Sequence, residues 1–165
     1  MEVRGIGSAD AERVASIYAH HVLHGTASFD EVPPDVDFWR DKIAVIRAKG
    51  WPFLVVDSGG DLLGYSYATQ FRDRPAYKFT CENSVYVHPD HLGNGVGKML
   101  LNGLIAAARV AGFRQMIAVI GGAEPSSIGL HRACGFSEAG RMKNVGLKFG
   151  RWLDTVYMQL ELEKD

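Results

Sequence analysis

The stretch from Ser84 to Leu101 constrains this chain more than any other. A β-branched, aromatic strand pattern, Ser84-Val85-Tyr86-Val87, runs through His88-Pro89-Asp90-His91 into a short turn. An apolar-periodic helix follows at once. Gly93, Gly95 and Gly97 alternate through the turn. Glycines placed so leave main-chain N–H groups bare where a helix begins, and such aligned amides bind anions. A phosphorylated cofactor is the expected occupant. A glycine-rich turn that serves only the fold is the plain alternative, but ordering this much glycine is costly unless the backbone must be bare.

Two common phosphate loops fail on spacing. The dinucleotide fingerprint requires a third glycine where Lys98 stands, and the P-loop requires glycine at Leu92 and a hydroxyl at Met99.

The rest of the chain alternates strand and helix patterns. Val3 to Ile6 reads as an edge strand. A first helix is expected after Ser8 as N-cap, with Val14, Ile17, Tyr18 and Val22 facing a core and Gly25 ending it. Pro33-Pro34-Asp35 opens a second helix that buries Trp39, Ile43 and Ile46 and stops at Gly50. Residues 52–57 and 62–70 form a hairpin around the turn Ser58-Gly59-Gly60-Asp61. A basic loop over residues 71–76 precedes a strand over 77–87. The third helix runs from Gly95 or Val96 to Ala111, burying Leu100, Leu101, Leu104, Ile105 and Ala108, with Gly112 as its cap. A strand from Gln115 to Ile120 and a helix ending near Cys134 come next, then strands over 136–143 and 153–161. This order, β-αα-βββ-α-β-α-ββ, predicts an α/β fold: a mixed, mostly antiparallel sheet of about seven strands with four helices on its faces.

Length and composition narrow the function. A chain of 165 residues, 47% apolar and 22% charged, suits a single globular domain over residues 1–165. Its net charge of −1 offers no basic footprint for nucleic acid or for a membrane surface. No apolar run approaches the roughly 20 residues a membrane span needs. Met1 to Ile6 lacks the basic-then-apolar order of a signal peptide. Cys81 and Cys134 read as free thiols, so a cytoplasmic protein is expected. His20, His21 and His24 share a helix end without acidic or cysteine partners at ligand spacing. They suit the helix dipole, and no metal is expected.

The glycine turn resembles the acetyl-CoA loop of the GNAT superfamily of N-acetyltransferases, Gln/Arg-x-x-Gly-x-Gly/Ala. Leu92-Gly93-Asn94-Gly95-Val96-Gly97 fits it except at Leu92. Within that superfamily the chain is most similar to the phosphinothricin and methionine-sulfoximine acetyltransferases, over nearly its whole length. The matching stretches are Thr26-Ala27-Ser28-Phe29, Tyr77 to Glu82, Ser84 to Pro89, Ser127-Ile128-Gly129-Leu130-His131, Gly135-Phe136 and Lys148 to Asp154.

The resemblance implies a site. Strand alternation puts Thr80, Glu82, Ser84 and Tyr86 on one face. A carboxylate in mid-strand can take the proton of an arriving ammonium, and Glu82 matches the family's proposed base. A structural ion pair with Arg72 or Arg74 is the alternative. His131 stands where relatives place an acid for the leaving thiolate, and a half-buried structural histidine is its rival; Tyr86 is a weaker acid candidate. Arg72 and Arg74 form the expected fork for a substrate carboxylate, with Phe29, Tyr77 and Ser84 lining the acceptor pocket. For acetyl-CoA, Gly93, Asn94, Gly95, Val96, Gly97 and Lys98 are expected to cradle the pyrophosphate. Val85, Tyr86 and Val87 hold the pantetheine arm by main-chain bonds, and Glu124 lies nearby. Leu92 predicts weaker cofactor binding. Glu124 replaces an Asn of relatives, and Ser28 replaces an Asn beside Phe29. The Lys148 to Asp154 stretch, read as a loop with exposed aromatics, suits a homodimer interface or a plain tertiary role. The expected activity is acetyl transfer from acetyl-CoA to the α-amine of a small amino-acid analogue. The alternatives are a protein N-terminus or a polyamine as acceptor, or an acyl-CoA sensor without turnover.

Overall fold

The computed structural model describes residues 1–163. Among these the elements are β1 (Glu2–Gly5), α1 (Ala11–His24), α2 (Val36–Ala48), β2 (Phe53–Ser58), β3 (Asp61–Gln70), β4 (Thr80–Val87), α3 (Val96–Val110), β5 (Gln115–Gly121), α4 (Pro125–Ala133), β6 (Ser137–Lys148) and β7 (Arg151–Glu161). The strands form one sheet in the order β1-β2-β3-β4-β5-β7-β6. Only β4 and β5 run parallel.

The helices cover both faces. Trp39 of α2 and Val14 and Ile17 of α1 pack on Tyr65, Tyr67, Val55 and Phe53. On the other face Leu101, Leu104 and Ala108 of α3 meet Cys81, Met116, Ala118 and Met158. The helices α1, α2 and α3 show the expected apolar stripes, and burial of these faces supplies most of the stabilisation.

Four local expectations are corrected. Ser8 does not cap α1. The chain enters through a 3-10 turn over Ser8–Asp10. The buried Asp10 carboxylate accepts from the Gly7 N–H at 2.8 Å and from Arg4 at 2.8 and 3.0 Å. Arg4 also reaches Asp57 at 3.1 Å, tying the helix start to β1 and β2. The strand predicted over 77–87 begins only at Thr80, because Pro75 fixes φ and seeds a 3-10 turn, Pro75–Tyr77. The strand predicted over 136–143 continues to Lys148, with register shifts at Glu138/Gly140 and Met142/Gly146. Nor is Lys148 to Asp154 a loop. Phe149 and Gly150, with φ of 53° and 69°, make a two-residue hairpin turn, and Trp152 lies in β7.

One close approach sets the site. A Cβ on Gly64 of β3 would fall 2.8 Å from the Tyr86 carbonyl oxygen and 2.9 Å from Leu100. Bare backbone there lets α3 lie against β3 and β4 just where the glycine turn delivers it. Gly64→Ala is expected to destabilise the protein by about 1–3 kcal/mol, since the nearest atom is main chain and cannot swing away. A lowered denaturation midpoint checks this; an unchanged one would mean that the contact yields freely.

Candidate active site

The pairing of β4 and β5 is short. It joins Thr80, Cys81 and Glu82 to Gln115, Met116 and Ile117 and then stops, although both strands continue. Beyond Glu82 they part. On its other side β4 stays paired with β3 as far as Val87. The His88 N–H donates to Leu63 and the Phe71 N–H to the Thr80 carbonyl. Even-numbered residues of β4 therefore spend their main-chain groups on β3, and Val85 and Val87 direct theirs into the opening. Tyr86 differs from the expectation here: its main chain pairs with Tyr65, and it meets the opening with its ring.

Two adjoining clefts fill this region. One, of about 310 Å³, is lined by Tyr18, Phe29, Asp30, Glu82, Ser84 and His131, among others. The second, of about 610 Å³, runs from Val85 and Val87 past Gly93, Gly95, Gly97 and Lys98, with Leu92, His21 and Glu124 along its rim. Val85, Tyr86, Ala27 and Ser127 border both. Gly93 and Gly95 have φ of 77° and 81°, and no side chain caps α3. The first-turn amides of α3 are thus left for a ligand, which fits a diphosphate group. Val96 contributes main chain only, its side chain being buried against Leu100 and Val87. Asn94 is exposed and lies outside the cleft lining.

The acetyltransferase (GNAT) domain family matches residues 3–157. The chain belongs to this GNAT family. It is 52% identical over 161 residues to the phosphinothricin N-acetyltransferase of Alcaligenes faecalis, covering 97% of this chain and 82% of that one. It is 39% identical over 167 residues to the L-methionine sulfoximine/L-methionine sulfone acetyltransferase of Salmonella typhimurium, covering 99% and 96%. A phosphinothricin acetyltransferase from Sinorhizobium meliloti, solved with acetyl-CoA, superposes with a TM-score of 0.94 at 46% identity, covering 97% of this chain and 87% of that one. This GNAT protein is therefore an acetyl-CoA-dependent N-acetyltransferase. Among the described residues no group of three or more His, Cys, Asp or Glu side chains comes together to hold a metal ion.

Of the candidate catalytic residues, Glu82 lies half-buried where the strands part. Burial raises its carboxyl above the ordinary range, and the Arg72 guanidinium, 3.6 Å away, opposes that rise. Arg72 lies over the Phe71 ring, its Cζ 4.0 Å from the centroid. Arg72, Arg74 and Tyr77 are exposed and none of them lines the acceptor cleft; of the expected two-arginine fork only Arg72 reaches Glu82. Phe29 does wall the cleft. It packs where Gly146 has no side chain; a Cβ there would fall 2.5 Å from its ring. His131 is buried, its Nδ1 2.7 Å from the Ser127 carbonyl and its Nε2 3.2 Å from the Asn83 carboxamide. Burial lowers its basicity and so favours the uncharged imidazole.

Several contacts escaped the sequence reading, among them the partner of Glu124, itself an expected neighbour of the cofactor. Tyr18 reads as a core residue by its helical period, yet its hydroxyl reaches Ser28 Oγ at 2.8 Å and Asp30 at 2.5 Å. Lys148 is buried and donates to the Ser28 carbonyl at 2.7 Å. His21 Nε2 donates to the Val87 carbonyl at 2.8 Å, taking one of the groups expected to hold pantetheine. Glu124 accepts from the Thr26 hydroxyl, which commits its carboxylate to the cleft wall. None of these carries a sequence signal, because each depends on a partner distant in the chain.

Arg72→Gln removes the charge that restrains Glu82, so the Glu82 carboxyl is expected to titrate at still higher pH than in the wild type. Carbon-13 NMR of the labelled side chain reads this directly. An unchanged midpoint would show that the pair is too solvated to matter.

Proposed function

We propose that this enzyme acetylates the α-amine of a small amino-acid analogue of the phosphinothricin, methionine sulfoximine or methionine sulfone type. The observation that carries the reading is the carboxylate of Glu82 in a small cleft bordered by Val85, with the Arg72 guanidinium 3.6 Å from it. Such a cleft suits a compact zwitterion, whose ammonium meets a carboxylate and whose carboxylate meets a guanidinium. Curated relatives named for these acceptors support it.

In this reading Glu82 removes a proton from the ammonium, directly or through one water. Val85 and Val87 align the pantetheine arm as an added strand would, and the Val85 N–H polarises the thioester carbonyl. The α3 amides and Lys98 seat the diphosphate. Leu92, a half-exposed apolar residue at the loop's head, contributes no ionic contact, so cofactor affinity rests on main chain. The single acetyltransferase domain acts in the cytoplasm, where free Cys81 and Cys134 and a CoA thioester are at home, and detoxification of such analogues is its role. It works as a homodimer. Leu147, Phe149 and Trp152 expose a contiguous apolar patch on the β6–β7 hairpin, with Trp152 65% exposed, as an interface core requires.

Purified protein with acetyl-CoA and methionine sulfone is expected to release free thiol, and Glu82→Gln to slow that release by about a hundredfold or more. Release only with amino-terminal peptides or polyamines would replace the acceptor. Binding of acetyl-CoA in calorimetry without turnover of any amine would leave a sensor. Trp152→Asp is expected to give monomers in light scattering; a monomeric wild type would remove the dimer.

A further inference from the structure

We infer that Asn83 is a positioning residue for His131: its amide nitrogen donates to Nε2, holds the imidazole in the neutral Nδ1–H form, and leaves it a proton acceptor in the cleft between β4 and β5. The inference rests on hydrogen-bond chemistry at three atoms. Ser127 presents two oxygens to Nδ1: its carbonyl at 2.7 Å and, much farther, its hydroxyl at 3.4 Å; the near partner is a carbonyl with no hydrogen to give, so Nδ1 carries one. On the other side of the ring, Asn83 Oδ1 placed 3.2 Å from Nε2 would require a second ring proton and hence a charged imidazolium.

That charge has nothing to hold it. His131 is 4% exposed, and the Phe136 ring stands edge-on to it with centroids 4.9 Å apart. The titratable groups that share its cleft are Glu82 and Tyr86 on β4, Tyr18 on α1 and Asp30 on the following loop, and none of them shifts it by charge. In the same orientation the Asn83 amide nitrogen is buried without a partner. A half-turn of the carboxamide, which keeps its shape, answers both problems. The amide nitrogen then donates to the Nε2 lone pair, and the ring is neutral. The carbonyl oxygen takes the unpartnered place, where an under-satisfied acceptor is the milder exception.

This deepens the proposed function and depends on it for its use in turnover. An ammonium acceptor loses two protons on becoming an amide. Glu82 takes the first and passes it to solvent. After the nitrogen–carbon bond forms, a nitrogen–hydrogen bond breaks and Nε2 gains that proton, while the Asn83 amide turns so that Oδ1 accepts from the new N–H. As the carbon–sulfur bond breaks, Nε2 gives the proton to sulfur and the amide turns back. His131 enters the cycle empty rather than loaded, the reverse of a resident acid.

Long-range proton–nitrogen NMR on the free, nitrogen-15-labelled protein reads both ring nitrogens without any turnover. The wild type is expected to show a protonated Nδ1 and a bare Nε2 at neutral and alkaline pH. Asn83→Asp, which offers Nε2 only an acceptor, is expected to move the His131 titration to higher pH. The acidic limb of kcat moves with it, while the KM for acetyl-CoA is unchanged. Asn83→Ser, whose hydroxyl can donate or accept, is expected to restore the wild-type tautomer. An Nε2–H tautomer in the wild type overturns the inference. So does an unshifted His131 titration in an Asn83→Asp protein whose backbone spectrum shows it folded. A wild type with the Nδ1–H tautomer but no thiol release from any amine would defeat the acceptor reading and leave the Asn83–His131 bond standing.

Discussion

The divergence of β4 from β5 is the constraint from which the site follows. Each strand is fully paired on its outer side, β4 with β3 and β5 with β7. The two share only three register positions, Thr80 to Glu82 against Gln115 to Ile117. Past those positions the sheet has an internal edge, with main-chain groups that must find partners elsewhere. An open edge inside a sheet is costly to keep dry and unfilled, and it is a ready strand-binding groove. Glu82 sits at the apex of this opening, so the carboxylate stands beside the place where an extended ligand would end.

The glycine turn answers the other end of the same groove. Its left-handed Gly93 and Gly95 turn the chain from β4 into α3 with the helix amides uncapped. Gly64 permits α3 to approach β3 and β4 closely, so the amides and the open strand edge fall in one continuous cleft. In the proposed reading, affinity for a diphosphate and alignment of its extended arm come from backbone rather than from side chains. Leu92 can therefore stand at the head of the loop without removing the contacts that matter most.

Much of this was legible in the sequence. The apolar stripes of α1, α2 and α3, the hairpin over β2 and β3, and the strand-turn-helix around Gly93 follow from periods and turn residues that act locally. The expected clefts collect Glu82, His131, Phe29, Ser84 and the glycines as the pattern implied. What was not legible was long-range. Ser8 looked like a cap, but the ion pair of Arg4 with Asp10 decides how α1 starts. The last hairpin was hidden because Asn144, Gly146 and Gly150 read as loop residues, whereas they serve bulges and a two-residue turn. Asn83 gave no sign of its role, since its partner lies 48 residues away.

The buried amine of Lys148 has a wider consequence. It grips the Ser28 carbonyl across 120 residues of sequence, while Tyr18 holds the same segment from α1. The Ser28 segment at the rim of the cleft is therefore held jointly by the first helix and the outermost strand. Transplanting residues 26–30 alone between enzymes of this kind would carry the shape of the rim without its moorings. In the proposed reading, acceptor preference in this enzyme is set through the edge of the sheet as much as through the loop at the cleft's rim.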